Sequence, residues 1–374
     1  MITSGLAFRL LLGFRHHQCA QSHTFELRDV SPGDARRSIN DGNHRQSPAR
    51  ELSIGAVPAA RAPVSEYDAP PVRVLVHDPA ETRALERLLE IPAGNLAERS
   101  LFRAHPDPDR FAREHAALVA SFDSAEIEAV RLADVVDEHG RRALEENPNH
   151  VYTRDAAITF PWLPGRFMRG AMRQPVRRVE PDVLASALGA LGLEELRAPH
   201  ECFLEGGDVI PLVHGGRRTL LVGYGPRSSR DGIEALWRHL HPWALDEIVG
   251  IEIVPERMNL DGVLVPVTDD TVILDRSSIV RSFLLDASGA RPVDVLALLC
   301  ELGLAPIEVT REEAAVLQAC NCFCLGGRRV IAYELCERVA EEVRARDIEV
   351  RTVPGHELIK GTGGPRCMTR PLYC

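Results

Sequence analysis

One pattern of strands and helices repeats along the chain from residue 149 onward. Each repeat has two short strands joined by a tight polar turn, then an amphipathic helix, then one further strand, with a period of roughly 60 residues. Mixed units of this kind predict an α/β fold. The period alone leaves open whether the units form one open sheet or a closed ring of blades. The turns lie at Gly215-Gly216, Asp269-Asp270 and Gly326-Gly327, and the helices at residues 181–193, 229–241, 291–304 and 334–347.

Ahead of these repeats, the sequence predicts a strand followed by a helical region. The run "VRVLVHD" at residues 72–78 is rich in β-branched residues, which favours a strand. Residues 79–90 and 109–146 carry apolar side chains at spacings of three and four, which predicts helices. Residues 150–160, "HVYTRDAAITF", are then expected to form the first strand of the repeating part.

The N-terminal segment has a different character from the rest of the chain. Residues 1–71 show no sustained period and are rich in Arg, Ser, His and Pro. Segments that lack a periodic apolar pattern cannot bury enough surface to fold on their own. We therefore expect a poorly ordered extension over residues 1–71 and an α/β domain over residues 72–374.

Charge and hydropathy exclude several classes of protein. The formal net charge is −10, whereas binding to nucleic acid calls for a basic face. No apolar run reaches the roughly 18 residues that cross a bilayer, and the early run "GLAFRLLLGF" is a poor signal peptide. The 9 cysteines have no regular spacing, so they do not indicate a disulfide framework. We expect a reduced cytoplasmic protein with no nucleic-acid or membrane partner.

Three cysteines alternate with other residues in the stretch "ACNCFCLGG". Cys320, Cys322 and Cys324 would share one face of a strand. Such a face could hold a soft metal ion or could line the core with thiols. Because no His or CxxC pair lies nearby, the core interpretation is favoured and no metal or cofactor is expected.

A cysteine near the C-terminus lies outside any apolar run. Cys367 follows Gly361, Gly363 and Gly364, and Arg366 comes directly before it. Structural cysteines are usually found among apolar residues, whereas glycines allow backbone to approach a ligand closely. This placement therefore makes Cys367 a candidate functional residue.

Four acidic residues stand next to small residues, where a carboxylate can approach a ligand. Each of them alone could be a turn or cap residue. Buried carboxylates need positive partners, and a planar guanidinium offers a fork of donors that fits two of them. Together they indicate a site for a cationic ligand of the guanidinium type. The four acids are Asp155, Glu205, Asp208 and Asp261.

Four motifs in order resemble a known family. The chain carries "NPNHVYTRD", "FLEGGDVI", "LDGVLVPV" and "GTGGPRCMTRPL", and this series resembles the guanidino-group modifying enzymes, the pentein superfamily. Within it, the similarity is to the arginine deiminase and dimethylarginine dimethylaminohydrolase branch, over about residues 72–374. The resemblance implies a five-bladed α/β propeller of pseudo-symmetric ββαβ units around one central site.

The resemblance also implies the chemistry of Cys367. This residue would be the nucleophile that attacks a guanidinium carbon and forms a covalent thiouronium intermediate, which water later resolves. The neighbouring cation, Arg366, is expected to favour the reactive thiolate.

Roles for the polar residues follow from the same resemblance. Asp155 and Asp261 match the carboxylates that bind the guanidinium. Glu205 matches the acid that orients the family's histidine, and Asp208 matches the last acid of the "EGGD" motif. Arg227 falls where arginine deiminases carry an arginine for the substrate carboxylate.

One position departs from the family pattern. The general acid/base histidine of the family lies two residues before the aspartate, and here that residue is Asn259. An amide cannot carry a proton near neutral pH, and positioned acid–base catalysis contributes about 10²- to 10⁴-fold in rate. A nearby histidine could take its place, and His150 is favoured over His200 and His356 because it lies five residues before Asp155. Otherwise the chemistry is altered, or the protein only binds its ligand.

The expected activity is hydrolysis of a C–N bond in arginine or an arginine derivative. One alternative is an amidinotransferase, which uses the same cysteine intermediate, although such enzymes typically carry a histidine where this chain has Arg366. The other alternative is a non-catalytic guanidino-ligand binder. A small guanidino compound is the expected partner, and a homo-oligomer is compatible with the sequence.

Overall fold

A computed structural model describes residues 63–196 and 202–373 of the chain. Most of the predicted extension, residues 1–62, therefore lies outside the described residues, as does His200. The strands are β1 (Arg73–Val76), β2 (Glu128–Arg131), β3 (Ala157–Thr159), β4 (Arg166–Arg169), β5 (Glu194–Leu196), β6 (Val209–His214), β7 (Arg217–Tyr224), β8 (Glu247–Ile253), β9 (Leu264–Pro266), β10 (Thr271–Leu274), β11 (Ile279–Asp286), β12 (Gly289–Val293), β13 (Ala305–Glu308), β14 (Phe323–Cys324), β15 (Arg329–Tyr333), β16 (Glu349–Val353) and β17 (Arg370–Leu372).

Helices alternate with these strands along the described part of the chain. None of the helices in residues 63–196 and 202–373 has both the length and the apolar character that a bilayer crossing requires. The helices are α1 (Ala84–Glu90), α2 (Leu96–Arg99), α3 (Pro108–Asp123), α4 (Leu132–Val135), α5 (Glu138–Glu146), α6 (Glu180–Ala190), α7 (Arg230–Leu240), α8 (Val295–Glu301), α9 (Arg311–Ala315) and α10 (Glu337–Arg344).

The described strands form five sheets that share one arrangement. In each sheet a central strand pairs antiparallel with one neighbour and parallel with the other, and a connection that contains a helix leads from the central strand to the parallel one. This confirms the mixed α/β fold that the hairpin–helix–strand rhythm predicted. In the order antiparallel, central, parallel, the five sets are β17-β1-β2, β3-β4-β5, β6-β7-β8, β9-β10-β13 and β14-β15-β16.

Paired glycines close two of the hairpins, as the sequence predicted. Gly215 and Gly216, between β6 and β7, have φ angles of 53° and 77°. Gly326 and Gly327, between β14 and β15, have φ angles of 76° and 58°. Two successive positive φ angles match the right-handed twist of the flanking strands, and glycine adopts them without steric cost.

Strand β2 lies where the sequence predicted helix within residues 109–146. Helix α3 ends at Asp123, and Glu126 then adopts a left-handed φ of 60°, which turns the chain back. The following residues, Glu128–Arg131, pair in parallel with β1. Ala and Glu favour helix locally, so the prediction from spacing was wrong here because sheet pairing overrides a weak local preference.

Two other regions differ from the predicted elements. Residues 150–160 begin as a 3₁₀ turn, Pro148–Val151, because the Asn147 side chain accepts a hydrogen bond from the Asn149 N–H at 2.9 Å. The strand there is confined to β3. The hairpin β11-β12, which the repeat does not predict, pairs with β8 and extends the third sheet to five strands.

The two ends of the described chain meet in the first sheet. Strand β17 pairs antiparallel with β1, with Arg73 opposite Leu372. This pairing fixes the backbone three residues after Cys367 against the start of the domain. The glycine-rich segment before β17 is therefore anchored on its C-terminal side.

Residues 63–71, which the sequence assigned to the extension, pack against the domain. Tyr67 is buried in the main hydrophobic cluster, and the Glu66 N–H donates to the Pro211 carbonyl at 3.1 Å. The Glu66 carboxylate accepts from Arg154 Nη1 at 2.8 Å and from Arg366 Nη2 at 2.9 Å. Burial opposes ionisation of Glu66, but these two arginines outweigh it and hold its pKa at about 2.

We expect Glu66→Gln to lower the free energy of unfolding at pH 7 by about 3–5 kcal/mol, because it leaves the buried Arg154 guanidinium without an acidic partner and removes one of the two acids that bind Arg366. The folded-state pKa of Glu66 lies below its ordinary value of 4.5, so its contribution is complete above pH 4.5 and is lost as pH falls toward 2. The difference between wild type and variant should therefore shrink as pH falls through this range. Urea denaturation at a series of pH values measures it.

Glu86→Gln provides the matched control for this prediction. Glu86 lies 3.6 Å from Arg83, and both side chains are exposed. Exposed pairs contribute about 0–1 kcal/mol, so this variant should stay close to wild type at every pH. Equal losses in both variants would contradict a structural role for the Glu66 contacts.

Candidate active site

The motif residues converge on one cavity. The four motifs lie just before the antiparallel strands β3, β6, β9 and β17, each in a different one of the five described sheets. The cavity has a volume of about 350 Å³, in the range of small-molecule sites. Of the predicted residues, the structure brings Asp155, Arg227, Asn259, Asp261 and Cys367 to its wall.

Cys367 lies between an amide and a carboxylate. Asn321 donates from Nδ2 to Cys367 Sγ at 3.0 Å, and its Oδ1 accepts from the Cys367 N–H at 2.9 Å. The thiol in turn donates to Asp261 Oδ2 at 3.3 Å. Two hydrogen bonds to Asn321 fix both the backbone and the sulfur, so the thiol is oriented before any ligand binds.

The electrostatics of Cys367 correct one expectation from the sequence. Burial raises the pKa of the Cys367 thiol well above its ordinary value, and the charges of Asp261 and Asp155 raise it further. Arg366, which was expected to favour the thiolate, is instead bound to Asp261 and Glu66. The predicted cationic environment is therefore wrong for this structure, because two carboxylates face the thiol.

Asp155 is held by an arginine that the sequence did not single out. Arg177 Nη1 lies 2.6 Å from Asp155 Oδ2, and the same guanidinium binds Glu180 at 2.6 Å. The other carboxylate oxygen, Oδ1, accepts from the Gly207 N–H at 3.1 Å. These contacts fix the carboxylate at the cavity wall beside Cys367.

Arg366 forms a salt bridge that holds Asp261 in place. Arg366 Nη1 lies 3.0 Å from Asp261 Oδ2, and its Nη2 binds Glu66. Burial raises the pKa of the Asp261 carboxyl; Arg366 opposes this effect and the charge of Asp155 adds to it. A carboxyl group with a raised pKa next to a thiol can exchange a proton with it.

Asn259 occupies the position where the family carries histidine, and two acids hold it. Its Nδ2 donates to Asp208 Oδ2 at 3.1 Å and to Glu205 Oε2 at 3.3 Å. Glu205 thus contacts the residue at this position, and its role as an orienting acid stays a prediction. Neither Glu205 nor Asp208 lines the cavity, so Asp208 supports Asn259 rather than facing a ligand. Because Nδ2 is bound to the acids, the Asn259 carbonyl oxygen is left without these contacts.

Arg227 lies at the cavity wall, where its predicted role required it to be. Its Nη1 is 3.3 Å from Glu205 Oε2, and its Nη2 is 3.0 Å from Met258 Sδ. The side chain is buried. It is therefore already partly compensated by Glu205 and still able to meet a ligand.

His150 is not at the cavity, which corrects the expectation that it replaces the family's histidine. Its side chain is buried, and neither ring nitrogen has a hydrogen-bond partner among the described residues. Burial, with Arg177 nearby, lowers the pKa of His150 to about 3, so it carries no proton to give near neutral pH. Its neighbours Asn149 and Tyr152 face the cavity instead, and His356 is exposed.

The alternating cysteines belong to the core, as favoured from the sequence. Cys320, Cys322 and Cys324 are buried in one hydrophobic cluster. The Cys320 thiol donates to the Val263 carbonyl and the Cys322 thiol donates to the Ala319 carbonyl, each at 3.4 Å. Their thiols are used for packing.

The glycines before Cys367 make room for Tyr152. A Cβ atom on Gly361 would lie 1.8 Å from the Tyr152 hydroxyl oxygen, and one on Gly363 would lie 2.3 Å from the same ring. No side-chain carbon fits at such distances. Glycines are therefore needed here, because the backbone of the segment before Cys367 packs directly against the Tyr152 ring at the cavity wall.

Sequence reasoning missed several residues of the site. Asn321 lies in the cysteine stretch that drew attention only for its thiols, and Arg177 lies outside any motif. The signal for Asn321 was its place two residues before β14, since the other strand-start segments also carry site residues. Arg103 and Arg257 also line the cavity and left no such signal.

Solved structures share this fold. The N-terminal domain of ArgZ, an arginine dihydrolase from cyanobacteria, aligns with 80% of this chain and 97% of its own, at 18% identity and a TM-score of 0.60. A dimethylarginine dimethylaminohydrolase aligns with 80% of this chain and 98% of its own, at 17% identity and a TM-score of 0.56. At these identities the likeness concerns the mixed α/β fold alone.

Sequence relatives narrow the class further. The arginine deiminase of Mycobacterium avium (strain 104) is 31% identical over 62% of either chain, and that of Rhodococcus erythropolis is 28% identical over 67% of either chain. This chain thus spans about 62% of the length of the first curated relatives that it matches. The family model described as arginine deiminase matches residues 98–295 and 294–374. The chain belongs to the arginine deiminase family.

We expect Cys367 to react slowly with iodoacetamide at neutral pH, because its raised pKa leaves little thiolate. Its labelling rate should increase steeply above pH 9, and Asp261→Asn should increase the rate at pH 7 because one negative charge is removed without exposing the sulfur. Peptide mapping after brief treatment at several pH values measures each site. The exposed Cys300 is the internal comparison. If Cys367 reacts faster than Cys300 at mildly acidic pH, cations control the thiol after all.

Proposed function

We propose that this protein hydrolyses a C–N bond of a guanidino compound through a covalent intermediate on Cys367. The observation that carries the proposal is a buried thiol 3.3 Å from Asp261 Oδ2, at a cavity wall that also contains Asp155. Two carboxylates at a small cavity suit a planar cation, and the thiol lies beside them. The named activities of the relatives, arginine deiminase and arginine dihydrolase, point to the same chemistry.

The proposed fold at a finer level is a five-bladed α/β propeller. Five described sheets with one common arrangement support it, and so does the pairing of β17 with β1, which joins the two ends. In such a ring the strand-start segments of all blades face the centre. That arrangement explains why each of the five units carries a site residue just before its antiparallel strand.

The first chemical step follows from the charges. A guanidinium between Asp155 and Asp261 offsets the negative charges that raise the pKa of Cys367, so substrate binding itself favours the thiolate. Asp261 Oδ2 is the nearest base and takes the thiol proton. The sulfur then attacks the guanidinium carbon and forms a tetrahedral adduct.

The second half of the reaction returns the proton. Asp261 gives its proton to the departing nitrogen, the C–N bond breaks, and an S-linked thiouronium remains. A water molecule loses a proton to the same carboxylate and attacks the carbon. The C–S bond then breaks, the departing thiolate takes the proton back from Asp261, and the remaining hydroxyl proton passes to the released ammonia. For an arginine-type substrate the products are a ureido compound and ammonia.

One specific observation favours a second candidate, a protein that binds a guanidino ligand without turnover. Asn259 has no titratable proton, and the described cavity wall has no histidine. Asp261 would then carry all proton transfers alone. A cavity of about 350 Å³ suits a small-molecule ligand in either case, whereas the oligomeric state and the cytoplasmic location stay predictions.

The proposed function predicts a covalent adduct on Cys367. The intact protein should gain the mass of the substrate less ammonia after brief incubation with its guanidino substrate and an acid quench, and the mass should map to the Cys367 peptide. Cys367→Ser should give no adduct while still binding the compound in calorimetry. Binding without an adduct or product in the wild type, across arginine, methylarginines and alkylguanidines, would leave only the binder interpretation.

The role of Asn259 has its own prediction. We expect Asn259→His to weaken ligand binding without a gain in citrulline release, because it removes the amide carbonyl oxygen that is not bound to the acids; a lost polar partner costs about 1–3 kcal/mol. Asn259→Ala is the matched variant and should weaken binding similarly. Citrulline and ammonia assays over a range of pH give the readout. An increase of about 10²-fold from the histidine variant would identify a deiminase that has lost its proton carrier.

A further inference from the structure

We propose that Arg103 and Arg257 form a second anion-binding subsite in the cavity, separate from Arg227, and that the preferred guanidino substrate carries two anionic groups remote from the guanidinium. This inference rests on the proposed function. It concerns the far end of the substrate and leaves the chemistry at Cys367 unchanged.

The charge balance of the cavity wall is the first argument. Four arginines line the cavity, and two of them are compensated: Arg177 by Asp155 and Glu180, and Arg227 by Glu205. By contrast, Arg103 and Arg257 form no ion pair with any described residue. Two cations without a directly bound acid thus remain at the wall of one small cavity.

Arg257 is a buried arginine at the cavity wall. Its residue is 7% exposed, yet it has no acidic partner among the described residues. Nη2 donates to the Gly262 carbonyl, and Nε is buried without a hydrogen-bond partner in the described part of the chain. Burial lowers the pKa of Arg257, and the charges of Asp275 and Asp261, which form no ion pair with it, only partly offset this effect. An anionic ligand would supply both the missing acceptor and the missing charge.

Arg103 faces the same region from another segment. Its Nη2 donates to the Ala315 carbonyl at 3.2 Å, and its side chain is exposed at the mouth of the cavity. Burial of part of the side chain and the repulsion of Arg257 both lower the pKa of Arg103. The two guanidinium groups therefore oppose each other's charge, and an oxyanion bound by both would relieve this repulsion.

The two arginines are connected through the backbone to the segments that carry Asn259, Asp261 and Cys367. Arg257 lies two residues before Asn259 and four before Asp261, on one segment. The Arg103 N–H donates at 2.8 Å to the carbonyl of Lys360, in the segment that leads to Cys367. An anion held by both arginines thus has a fixed place relative to the thiol and the carboxylates. This geometry suits recognition of one ligand along its length.

The acid nearest in sequence does not remove the need for an anion. Glu256 lines the cavity, but its side chain is exposed and forms no ion pair with a described residue. The lining therefore contains two unpaired cations and one unpaired, solvated carboxylate. With Arg227 available for one anionic group, the remaining pair is free for a second.

Calorimetry in a Cys367→Ser background tests the subsite without turnover. The probes are three compounds of one chain length: an alkylguanidine, a guanidinoalkyl monocarboxylate and a guanidinoalkyl malonate. The malonate should bind about tenfold or more tighter than the monocarboxylate, since charge-assisted contacts to arginine are strong. Arg257→Gln and Arg103→Gln should each remove most of this preference and leave the alkylguanidine affinity unchanged.

Two further arms control for folding and for the kind of oxyanion. Arg142→Gln changes an exposed arginine that is not part of the cavity wall, so it should keep the malonate preference. Arg103→Gln lies at the exposed mouth and should fold normally, which a melting curve checks. A guanidinoalkyl phosphate monoester, compared with the malonate, tells a phosphate site from a carboxylate site.

The outcomes separate this inference from the proposed function. A malonate preference that is absent in the parent, or that survives both arginine variants, overturns the second subsite. If the arginine variants weaken binding of the monocarboxylate and of the malonate equally, the two arginines bind a single carboxylate. This result also overturns the second subsite. If no guanidino compound binds at all, including the alkylguanidine, then the proposed function fails and the inference fails with it.

Discussion

The site depends on a closed series of hydrogen bonds between the segments that precede the antiparallel strands. Each segment is short, and none of them could hold its side chain in place alone. Each segment forms a hydrogen bond with the next one. The position of a side chain in one segment therefore depends on how the neighbouring sheet is paired. The contacts are Gly207 N to Asp155, Asn259 Nδ2 to Asp208, Asn321 Nδ2 to the Asp261 carbonyl, Asn321 to Cys367, and Arg154 N to the Cys367 carbonyl.

Charge compensation explains why buried carboxylates persist at this site. Burying an unpaired charge is costly, and Asp155 and Asp261 avoid that cost through Arg177 and Arg366. Both arginines approach a single oxygen of each acid, Oδ2. In the proposed reaction, a bound guanidinium would supply the positive charge that the Cys367 thiolate requires beside these carboxylates.

How much of this could be read from the sequence depended on how local each signal was. Cys367, Asp155 and Asp261 stand in short motifs with small neighbours, so residue type and spacing identified them. Glu66 acts through contacts to residues far along the chain, which no local pattern reveals. His150 failed for the opposite reason: proximity in sequence to Asp155 says nothing about which face of a 3₁₀ turn meets the cavity. Tertiary contacts decide both cases.

The surroundings of Asn259 argue that the site is built around an amide. A histidine between two acids would be held as a cation and would balance them, whereas here Glu205 is balanced by Arg227. Burial raises the pKa of Asp208 well above its ordinary value, and the charge of Glu205 adds to this effect, while Ser228 Oγ donates to Asp208 at 2.6 Å. The acids thus have partners of their own and do not require a charged residue at position 259. The amide leaves a carbonyl oxygen without these contacts, so the same acids that would tune a proton carrier here bind a group whose oxygen can accept a hydrogen bond.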